Sequence, residues 1–471
     1  MFKDYKLNDY DLTIIGSGPG GYVCAIRAAQ LGLKVCIVEK DNVGGVCLNW
    51  GCIPSKALLR NAEILDLFQH AASFGISYEN LKSDYGHAID RSRSIVDQLT
   101  RGIASLLRKN QVTYINGSAE ILDKNTIMIS EKNVTEKKEI HSTNIVIATG
   151  ATPKSLPSLP LDNNTVVTSK EALFEKKLPA HIVIIGGGAT GVEFAFIYRK
   201  YGVDVTIIEA MPSILPNEDS DISEALKKSL TEQGISIFTD FRITNADITD
   251  NSANLTISNS SEEKVLSCDK ILVAIGASAN IQSLGLENID IQTTTNGFIE
   301  VDDYMSTNVK GIYAIGDVTG KLLLAHVASA QGVLVAETIA GLDSPKIDYV
   351  SVPRAVYCQP QVASLGLSEK EAVDQGYDVK IGVFPLSANG KALATEHRNG
   401  FVKIVSDSEI GDILGVHMIG HEVTELISHI AMTKLLEGTT QELGWLIHPH
   451  PTISETIKEA ALATEKQAIH I

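Results

Sequence analysis

The residues with the clearest potential for chemistry are two cysteines in the segment GGVCLNWGCIPSK, residues 44–56. Cys47 and Cys52 are separated by four residues. In a regular helix such an i, i+5 pair lies about 7.5 Å apart along the axis, which exceeds the usual Cα separation of a disulfide. A disulfide here needs a local break in the backbone, which Gly51 and Pro54 favour. Strained, accessible disulfides are the reducible kind. Two buried thiols in a glycine-rich loop are the alternative interpretation.

A second candidate lies near the end of the chain, in HPHPTISE at 448–455. Its prolines stiffen the loop, and Thr452 or Ser454 is expected to cap the helix that follows. Glu455 then falls in the first helical turn, within reach of His450. An imidazole held by a carboxylate suits general acid–base catalysis. The alternative is a capping motif with a surface histidine.

The elements that must position these groups begin with a dinucleotide-binding fingerprint. A short apolar strand leads into Gly16-Ser-Gly18-Pro-Gly-Gly21, an alanine-rich helical stretch follows, and the next strand ends at Glu39. Such glycines permit a tight turn and the close approach of a pyrophosphate, whose charge the helix N-terminus holds. The acidic residue binds ribose hydroxyls.

The same unit recurs 170 residues later, with Gly186, Gly188, Gly191 and Glu209. In both copies the glutamate follows the third glycine by 18 residues, so two nucleotide-binding domains are predicted. The charge of Glu209 would repel a 2′-phosphate, and no arginine follows it in Ala210-Met-Pro. This pattern predicts NAD(H) rather than NADP(H).

Sequence patterns between and after the two fingerprints predict further helices and strands. Residues 60–110 are expected to be helical and 111–150 to be β-rich, ending at Gly150. The second copy ends in a similar strand before Gly276. Two interpretations are open for this pair of strands: each returns the chain to its nucleotide site, or each is an ordinary core strand followed by a glycine turn. Another strand precedes Asp317, which could accept hydrogen bonds from ribityl hydroxyls or serve as a helix cap.

Composition excludes several classes of protein. The 471-residue chain carries a formal net charge of −17, which argues against a nucleic-acid-binding protein. Four of its six cysteines are isolated, as in a reducing compartment, where a disulfide would be catalytic. With no apolar run of membrane-spanning length and no signal sequence, a soluble cytoplasmic protein without membrane or metal sites is expected.

The two nucleotide sites and the dithiol together predict an electron route. A dithiol passes electrons by thiol exchange, whereas nicotinamide accepts a hydride, and a flavin can connect the two. The first fingerprint, next to the cysteines, should therefore hold FAD and the second NAD. The incoming thiol must lose a proton to become a nucleophile, and His450 with Glu455 fits that need.

On these motifs the sequence resembles the pyridine nucleotide–disulfide oxidoreductases over nearly its whole length. The further segments that carry the resemblance are GIYAIGD at 311–317, LAHVASAQG at 324–332, FPLSANGKA at 384–392, GFVKIV at 400–405 and ILGVHMIG at 413–420. The resemblance is strongest to members that reoxidise protein-bound dihydrolipoyl groups of 2-oxo acid dehydrogenase complexes with NAD⁺. It implies FAD and NAD as cofactors, a homodimer, lipoyl groups as substrate and a dihydrolipoyl acyltransferase (E2) as partner.

The resemblance also implies roles for individual residues. Cys47 would exchange with the substrate and Cys52 would lie against the flavin. Lys56 would sit near the flavin, paired with Glu193. His450 and Glu455 of one subunit would complete the disulfide site of the other. The remaining cofactor positions are Gly16, Gly18, Gly21, Glu39, Lys40, Gly117, Gly150, Asp317 and Ala325 in the FAD half, and Gly186, Gly188, Gly191, Glu209, Ile243 and Gly276 in the NAD half.

The expected fold class is α/β, with two Rossmann-like dinucleotide-binding domains and a C-terminal α+β dimerisation domain. The predicted divisions are an FAD domain at 1–150, an NAD domain at 151–280, a central segment completing the FAD site at 281–348 and an interface domain at 349–471. The chain departs from the family pattern at Gly276–Asn280, which lacks the usual arginine and proline, and at Gln361, where an acidic residue is usual.

Two rival interpretations are open. The first is another disulfide reductase of the same family. Glu209 opposes a glutathione reductase, and the C-terminus lacks the extra thiols of mercuric and large thioredoxin reductases. The second is a catalytically silent flavoprotein subunit of a large complex, which the filled catalytic positions oppose.

Overall fold

A computed structural model describes residues 9–250 and 252–471. The strands are β1 (Tyr10–Ile15), β2 (Val35–Glu39), β3 (Thr113–Ile121), β4 (Thr126–Glu131), β5 (Lys138–Ile147), β6 (Ala151–Pro153), β7 (Val166–Val167), β8 (His181–Ile185), β9 (Asp204–Glu209), β10 (Ser236–Thr239), β11 (Arg242–Ile248), β12 (Ala253–Ser258), β13 (Glu263–Cys268), β14 (Lys270–Val273), β15 (Ala277–Ala279), β16 (Ile312–Ala314), β17 (Arg354–Val356), β18 (Gln361–Gly366), β19 (Val379–Pro385), β20 (Phe401–Asp407) and β21 (Ile413–Gly420).

The helices are α1 (Pro19–Gln30), α2 (Gly45–Trp50), α3 (Cys52–Gln69), α4 (Tyr85–Lys109), α5 (Ser169–Ala172), α6 (Ala189–Lys200), α7 (Ser220–Glu232), α8 (Ala325–Ile339), α9 (Glu369–Asp374), α10 (Gly390–Ala394), α11 (Val423–Leu435), α12 (Thr440–Trp445) and α13 (Glu455–Thr464). Short 3₁₀ turns occupy Ala71–Phe74, Leu286–Asn288, Gly316–Thr319 and Leu386–Ala388. No helix in the described ranges is both long and apolar enough to cross a membrane.

The first compact unit comprises the described residues up to Ala57, His87–Lys154 and Gly276–Ile347. Its sheet pairs β3, β2, β1, β5 and β16 in parallel, and β4 joins β3 to β5 as an antiparallel meander. The central strands are apolar runs buried on both faces, as a parallel sheet covered by helices requires. Within it, α1 and α8 pack closely, because an added Cβ on Gly332 would lie 2.5 Å from the Gly20 carbonyl oxygen.

The second unit comprises Leu58–Gly86, Ser155–Ile275 and Asp348–Ile471. One of its sheets is parallel, in the order β10-β9-β8-β14-β7, and a three-stranded antiparallel sheet is formed by β11 to β13. A third sheet, in the order β17-β18-β21-β20-β19, is antiparallel, and α11 and α13 pack on it. These elements confirm the α/β class, the repeated parallel unit and the C-terminal α+β region. The exact domain boundaries given above stay predictions.

Candidate functional site

The two cysteines lie on either side of a helix break. Cys47 is inside α2, which ends at Trp50, while Cys52 is the first residue of α3. Gly51 between them has φ −137° and ψ −118°, far from helical values. The predicted interruption is therefore confirmed, and it brings the two side chains into hydrogen-bonding contact. Both side chains are half-buried.

The surroundings of Cys47 control its ionisation. Its hydrogen bond with Cys52 and its burial raise the pKa of Cys47, while the positive charge of Lys56 acts in the opposite direction. Tyr22 is a neighbour that the sequence did not single out. Burial raises the pKa of its phenol, and the proximity of Cys47 adds to that shift. The Arg93 guanidinium donates to the Asn49 carbonyl oxygen at 2.5 Å and so ties α4 to the end of α2.

Gly51 leaves no space for a side chain. An added Cβ would lie 2.9 Å from the Val46 carbonyl oxygen and 3.1 Å from the Cys47 Cα atom. We expect Gly51→Ala to lower the free energy of unfolding by about 1–3 kcal/mol, which thermal melting would measure. We also expect the Cys47–Cys52 disulfide to close more slowly, which thiol titration over time would measure. Gly102→Ala, in α4 and with open space around its Cβ, is the matched control. If both variants melt like the parent, the packing argument is wrong.

His450 and Glu455 form the contact expected from their spacing. The His450 Nδ1 and Glu455 Oε1 atoms are 2.9 Å apart, and Glu455 Oε2 accepts from the Thr452 N–H at 2.9 Å. Burial opposes ionisation, yet these two hydrogen bonds hold the pKa of Glu455 below its ordinary value. The imidazole itself is 79% exposed and so open to a reacting group. The expected side-chain cap is wrong, because Ser454 makes no cap hydrogen bond to α13.

The first fingerprint has the geometry of a dinucleotide site. Glu39 is buried at the end of β2 and accepts from the Ser17 N–H and the Asp41 N–H, each at 2.8 Å. An added Cβ on Gly21 would meet the Gly16 carbonyl oxygen, so α1 can approach the turn only with glycine there. At Gly18 the space is open. Open backbone at the N-terminus of α1, with a carboxylate beside it, fits the pyrophosphate and ribose of FAD.

The second fingerprint repeats the two backbone hydrogen bonds of this arrangement. Glu209 accepts from the Gly187 N–H and the Met211 N–H, each at 2.7 Å. Gly191 packs against the Gly186 carbonyl oxygen, and Gly188 is open. The residues present therefore fit NAD in the same way as the first copy fits FAD.

Asp317 lies just after β16, in the turn Gly316–Thr319. Burial raises its pKa to about 6. Gln331, which the sequence did not single out, holds this turn by accepting from the Gly316 N–H at 2.6 Å. A half-buried carboxylate that is partly shielded from water fits a ligand hydroxyl, which can donate to it. Ala325 is the first residue of α8, where backbone N–H groups lack helical partners.

The two predicted strand-end glycines lie at opposite ends of a small two-stranded ribbon. Gly150 and Gly276 both have left-handed backbone angles. Gly150 immediately precedes β6 and Gly276 immediately precedes β15, and these two strands pair in antiparallel fashion. Asn280 closes the ribbon, since its N–H donates to the Gly150 carbonyl and its side chain to the Thr149 carbonyl. The departure at Gly276–Asn280 therefore leaves the ribbon intact.

The other predicted positions have structural surroundings that do not decide their roles. Glu193 is buried in α6 and accepts from the Tyr357 N–H at 3.0 Å. Ile243 lies in β11 and packs on the core. An added Cβ on Gly117 would meet the Ser130 carbonyl oxygen across the β3–β4 pair, and Lys40 is exposed after β2.

Comparisons with known proteins agree with this geometry. Residues 10–332 match the family described as pyridine nucleotide-disulphide oxidoreductase, and residues 352–461 match its dimerisation domain. A dihydrolipoyl dehydrogenase of Mycobacterium leprae is 44% identical over 459 residues, covering 96% of this chain and 97% of the relative. One of Bacillus subtilis is 44% identical over 471 residues, covering 98% and 99%.

A solved structure shares the fold as well. LpdA of Mycobacterium tuberculosis superposes with a TM-score of 0.90 at 28% identity, covering 96% of this chain and 98% of that one. The family match spans most of the chain, both fingerprints fit their dinucleotides, and the dithiol lies next to the first of them. The chain belongs to the FAD- and NAD-dependent pyridine nucleotide-disulphide oxidoreductases.

Proposed function

We propose that this oxidoreductase oxidises dihydrolipoyl groups to the cyclic disulfide and reduces NAD⁺ to NADH. The observation that carries the proposal is the Cys47–Cys52 contact across the helix break, next to a fingerprint that fits FAD. In its disulfide form such a pair can take an electron pair from a substrate dithiol by thiol exchange. The relatives of 44% identity, named dihydrolipoyl dehydrogenases, support the dihydrolipoyl group as that partner.

The reaction begins with the cysteine pair as a disulfide. His450 takes the proton of one substrate thiol, and the resulting thiolate attacks the Cys47 sulfur. A substrate–Cys47 disulfide forms, the Cys47–Cys52 bond breaks, and Cys52 leaves as a thiolate. The second substrate thiol then attacks the substrate sulfur bound to Cys47, which closes the lipoyl ring and breaks the substrate–Cys47 bond. The proton of that thiol passes to the departing Cys47 sulfur, which is left as a thiol. FAD, which the residues of the first fingerprint would hold, would supply the two-electron chemistry that connects the dithiol with hydride transfer to NAD⁺.

We propose that Glu455 orients the His450 imidazole and stabilises the positive charge it gains. The 2.9 Å contact to Nδ1 leaves Nε2 as the atom that takes the proton. Lys56, whose charge acts on Cys47, favours the thiolate form of the pair. The remaining cofactor positions named from the sequence are proposed in the same roles.

We propose a homodimer in which each His450 serves the disulfide of the other subunit. The matched dimerisation domain supports it, as does a set of strongly exposed apolar side chains at the ends of α11 and α12 and just after α12. Leu435, Trp445 and Ile447 are 78%, 68% and 89% exposed, which is costly for a surface facing water. The FAD-loaded chain should therefore sediment at twice the mass of one chain.

The experiment that tests the function compares NAD⁺ and NADP⁺ during steady-state oxidation of dihydrolipoamide. We expect NAD⁺ to be preferred by at least ~10²-fold in kcat/KM, because Glu209 would place its charge beside a 2′-phosphate. Glutathione disulfide with NADPH is the control for a different reductase of the family. Faster turnover of that pair than of dihydrolipoamide with NAD⁺ would overturn the proposal.

We also propose the E2 acyltransferase of a 2-oxo acid dehydrogenase complex as the macromolecular partner, since it carries the lipoyl group. A cytoplasmic location is proposed because the four cysteines outside the redox pair are isolated in the sequence and buried. Co-sedimentation of the FAD-loaded dimer with a lipoylated E2 tests the partnership, and free sedimentation of both would oppose it.

A further inference from the structure

The loop that carries His450 is closed by hydrogen bonds among side chains outside the His450–Glu455 pair. His448 Nδ1 lies 3.2 Å from Ser454 Oγ, and Ser454 Oγ lies 2.8 Å from Thr452 Oγ1. Thr452 Oγ1 in turn donates to the Pro449 carbonyl oxygen at 2.8 Å. These contacts therefore connect His448, through Ser454 and Thr452, with the carbonyl group of Pro449, the residue immediately before His450.

The direction of these hydrogen bonds follows from the number of protons available. Thr452 has one hydroxyl proton, which it gives to the Pro449 carbonyl, an acceptor only. Ser454 must then donate its proton to Thr452, and His448 must donate its Nδ1–H to Ser454. The lone pair of the neutral ring is left on Nε2, which is buried and has no hydrogen-bond partner in the described part of the chain. Burial lowers the pKa of His448, which favours this neutral form.

Thr452 joins these contacts to the reacting pair. Its N–H donates to Glu455 Oε2 at 2.9 Å, and the other oxygen of Glu455 contacts His450. Its hydroxyl holds the carbonyl immediately before His450. Without these bonds, an imidazole that is 79% exposed would be held by one hydrogen bond to Glu455.

We propose that His448, acting through Ser454 and Thr452, is a positioning residue that fixes the His450 imidazole for proton transfer. The inference rests on the proposed function, in which His450 is the base. The proposal depends on the N–H at Nδ1 of His448. If this donor is lost, Ser454 is no longer held in the orientation in which it donates to Thr452, and the bond from Thr452 to the Pro449 carbonyl is weakened in turn.

The test compares His448→Leu, which lacks a donor, with His448→Asn, whose amide can donate from the position of Nδ1. With His448→Leu we expect kcat for dihydrolipoamide oxidation to fall by ~10-fold or more, with little change in the KM for NAD⁺. Electron transfer from NADH to ferricyanide, which needs no thiol exchange, should be unchanged. Hydrogen exchange of the Thr452 amide, followed by mass spectrometry of the loop peptide, should become faster. His448→Asn should restore both kcat and exchange protection.

Equal losses in the leucine and asparagine variants, or parent-like kcat and exchange in the leucine variant, would overturn the inference. If His448→Leu does not bind FAD after purification, Thr452→Val replaces it, since valine keeps the N–H bonded to Glu455 and loses only the hydroxyl. His450→Gln is measured alongside. Full activity in that variant would overturn the proposed function, whereas full activity in His448→Leu beside an impaired His450→Gln overturns this inference alone.

Discussion

Replacing Cys47 by serine should abolish oxidation of dihydrolipoamide while leaving FAD bound. A serine hydroxyl cannot form the bond to the substrate sulfur, so thiol exchange stops at its first step. We expect kcat to fall by at least ~10³-fold. The fingerprint residues around Glu39 do not depend on this sulfur, so the flavin absorbance per chain should match that of the parent. Steady-state NADH formation and the visible spectrum measure the two quantities.

Cys358→Ser is the matched control for this variant. Cys358 is buried, and its thiol donates to the Pro360 carbonyl at 3.4 Å, a hydrogen bond that serine can also make. It should retain parent-like turnover. Turnover retained by Cys47→Ser would refute the exchange role of Cys47, whereas loss in both variants would point to a general effect of removing a buried sulfur.

His450→Gln should lower kcat by ~10²–10⁴-fold, the usual contribution of a general base. Glutamine preserves a polar side chain but cannot take the proton of the substrate thiol. Because the pKa of Glu455 lies below its ordinary value, its carboxylate stays ionised at neutral pH and becomes protonated only as the pH falls through that lowered pKa. Turnover measured between pH 6 and 9 should stay low in the variant, because the glutamine amide does not become a base at any pH in this range.

A mixture of two inactive variants tests which subunit supplies His450. Dimers that combine a Cys47→Ser chain with a His450→Gln chain contain one site with both groups intact if the histidine acts across the interface. Random assortment at equal amounts would then restore about one quarter of the parent activity. If the histidine acted within its own chain, mixed dimers would be as inactive as either parent variant.

Local sequence patterns predicted the elements that position the site. The two strand–turn–helix units follow from apolar runs and glycine spacing, and the bonds from Glu39 and Glu209 to their turns occur at equivalent positions because the spacing is the same. The break at Gly51 was predictable because five residues of regular helix cannot bring two sulfurs together.

Contacts between distant segments were not predictable in this way. The sequence around Lys403 indicates only a polar residue in a strand. In the structure its side chain is 2% exposed and forms ion pairs with Asp219 at 3.1 Å, Asp221 at 2.6 Å and Glu369 at 2.8 Å. Gln331 and Asn280 likewise find partners through the register of elements far apart in sequence. Thr452 or Ser454 was expected to cap a helix. The two hydroxyls instead bond to each other, and that of Thr452 also donates to the Pro449 carbonyl, because such side chains can bond to nearby groups of their own loop.

The most direct test of the proposed electron route is differential alkylation of the cysteines during one turnover. The FAD-loaded, oxidised protein is mixed anaerobically with one equivalent of dihydrolipoamide per chain, and its cysteines are mapped before and after NAD⁺ is added. We predict that Cys47 and Cys52 become alkylatable together, that both are protected again after NAD⁺, and that one NADH forms per chain. NADH formation while this pair stays unreactive, or with a change at another cysteine, would contradict the account.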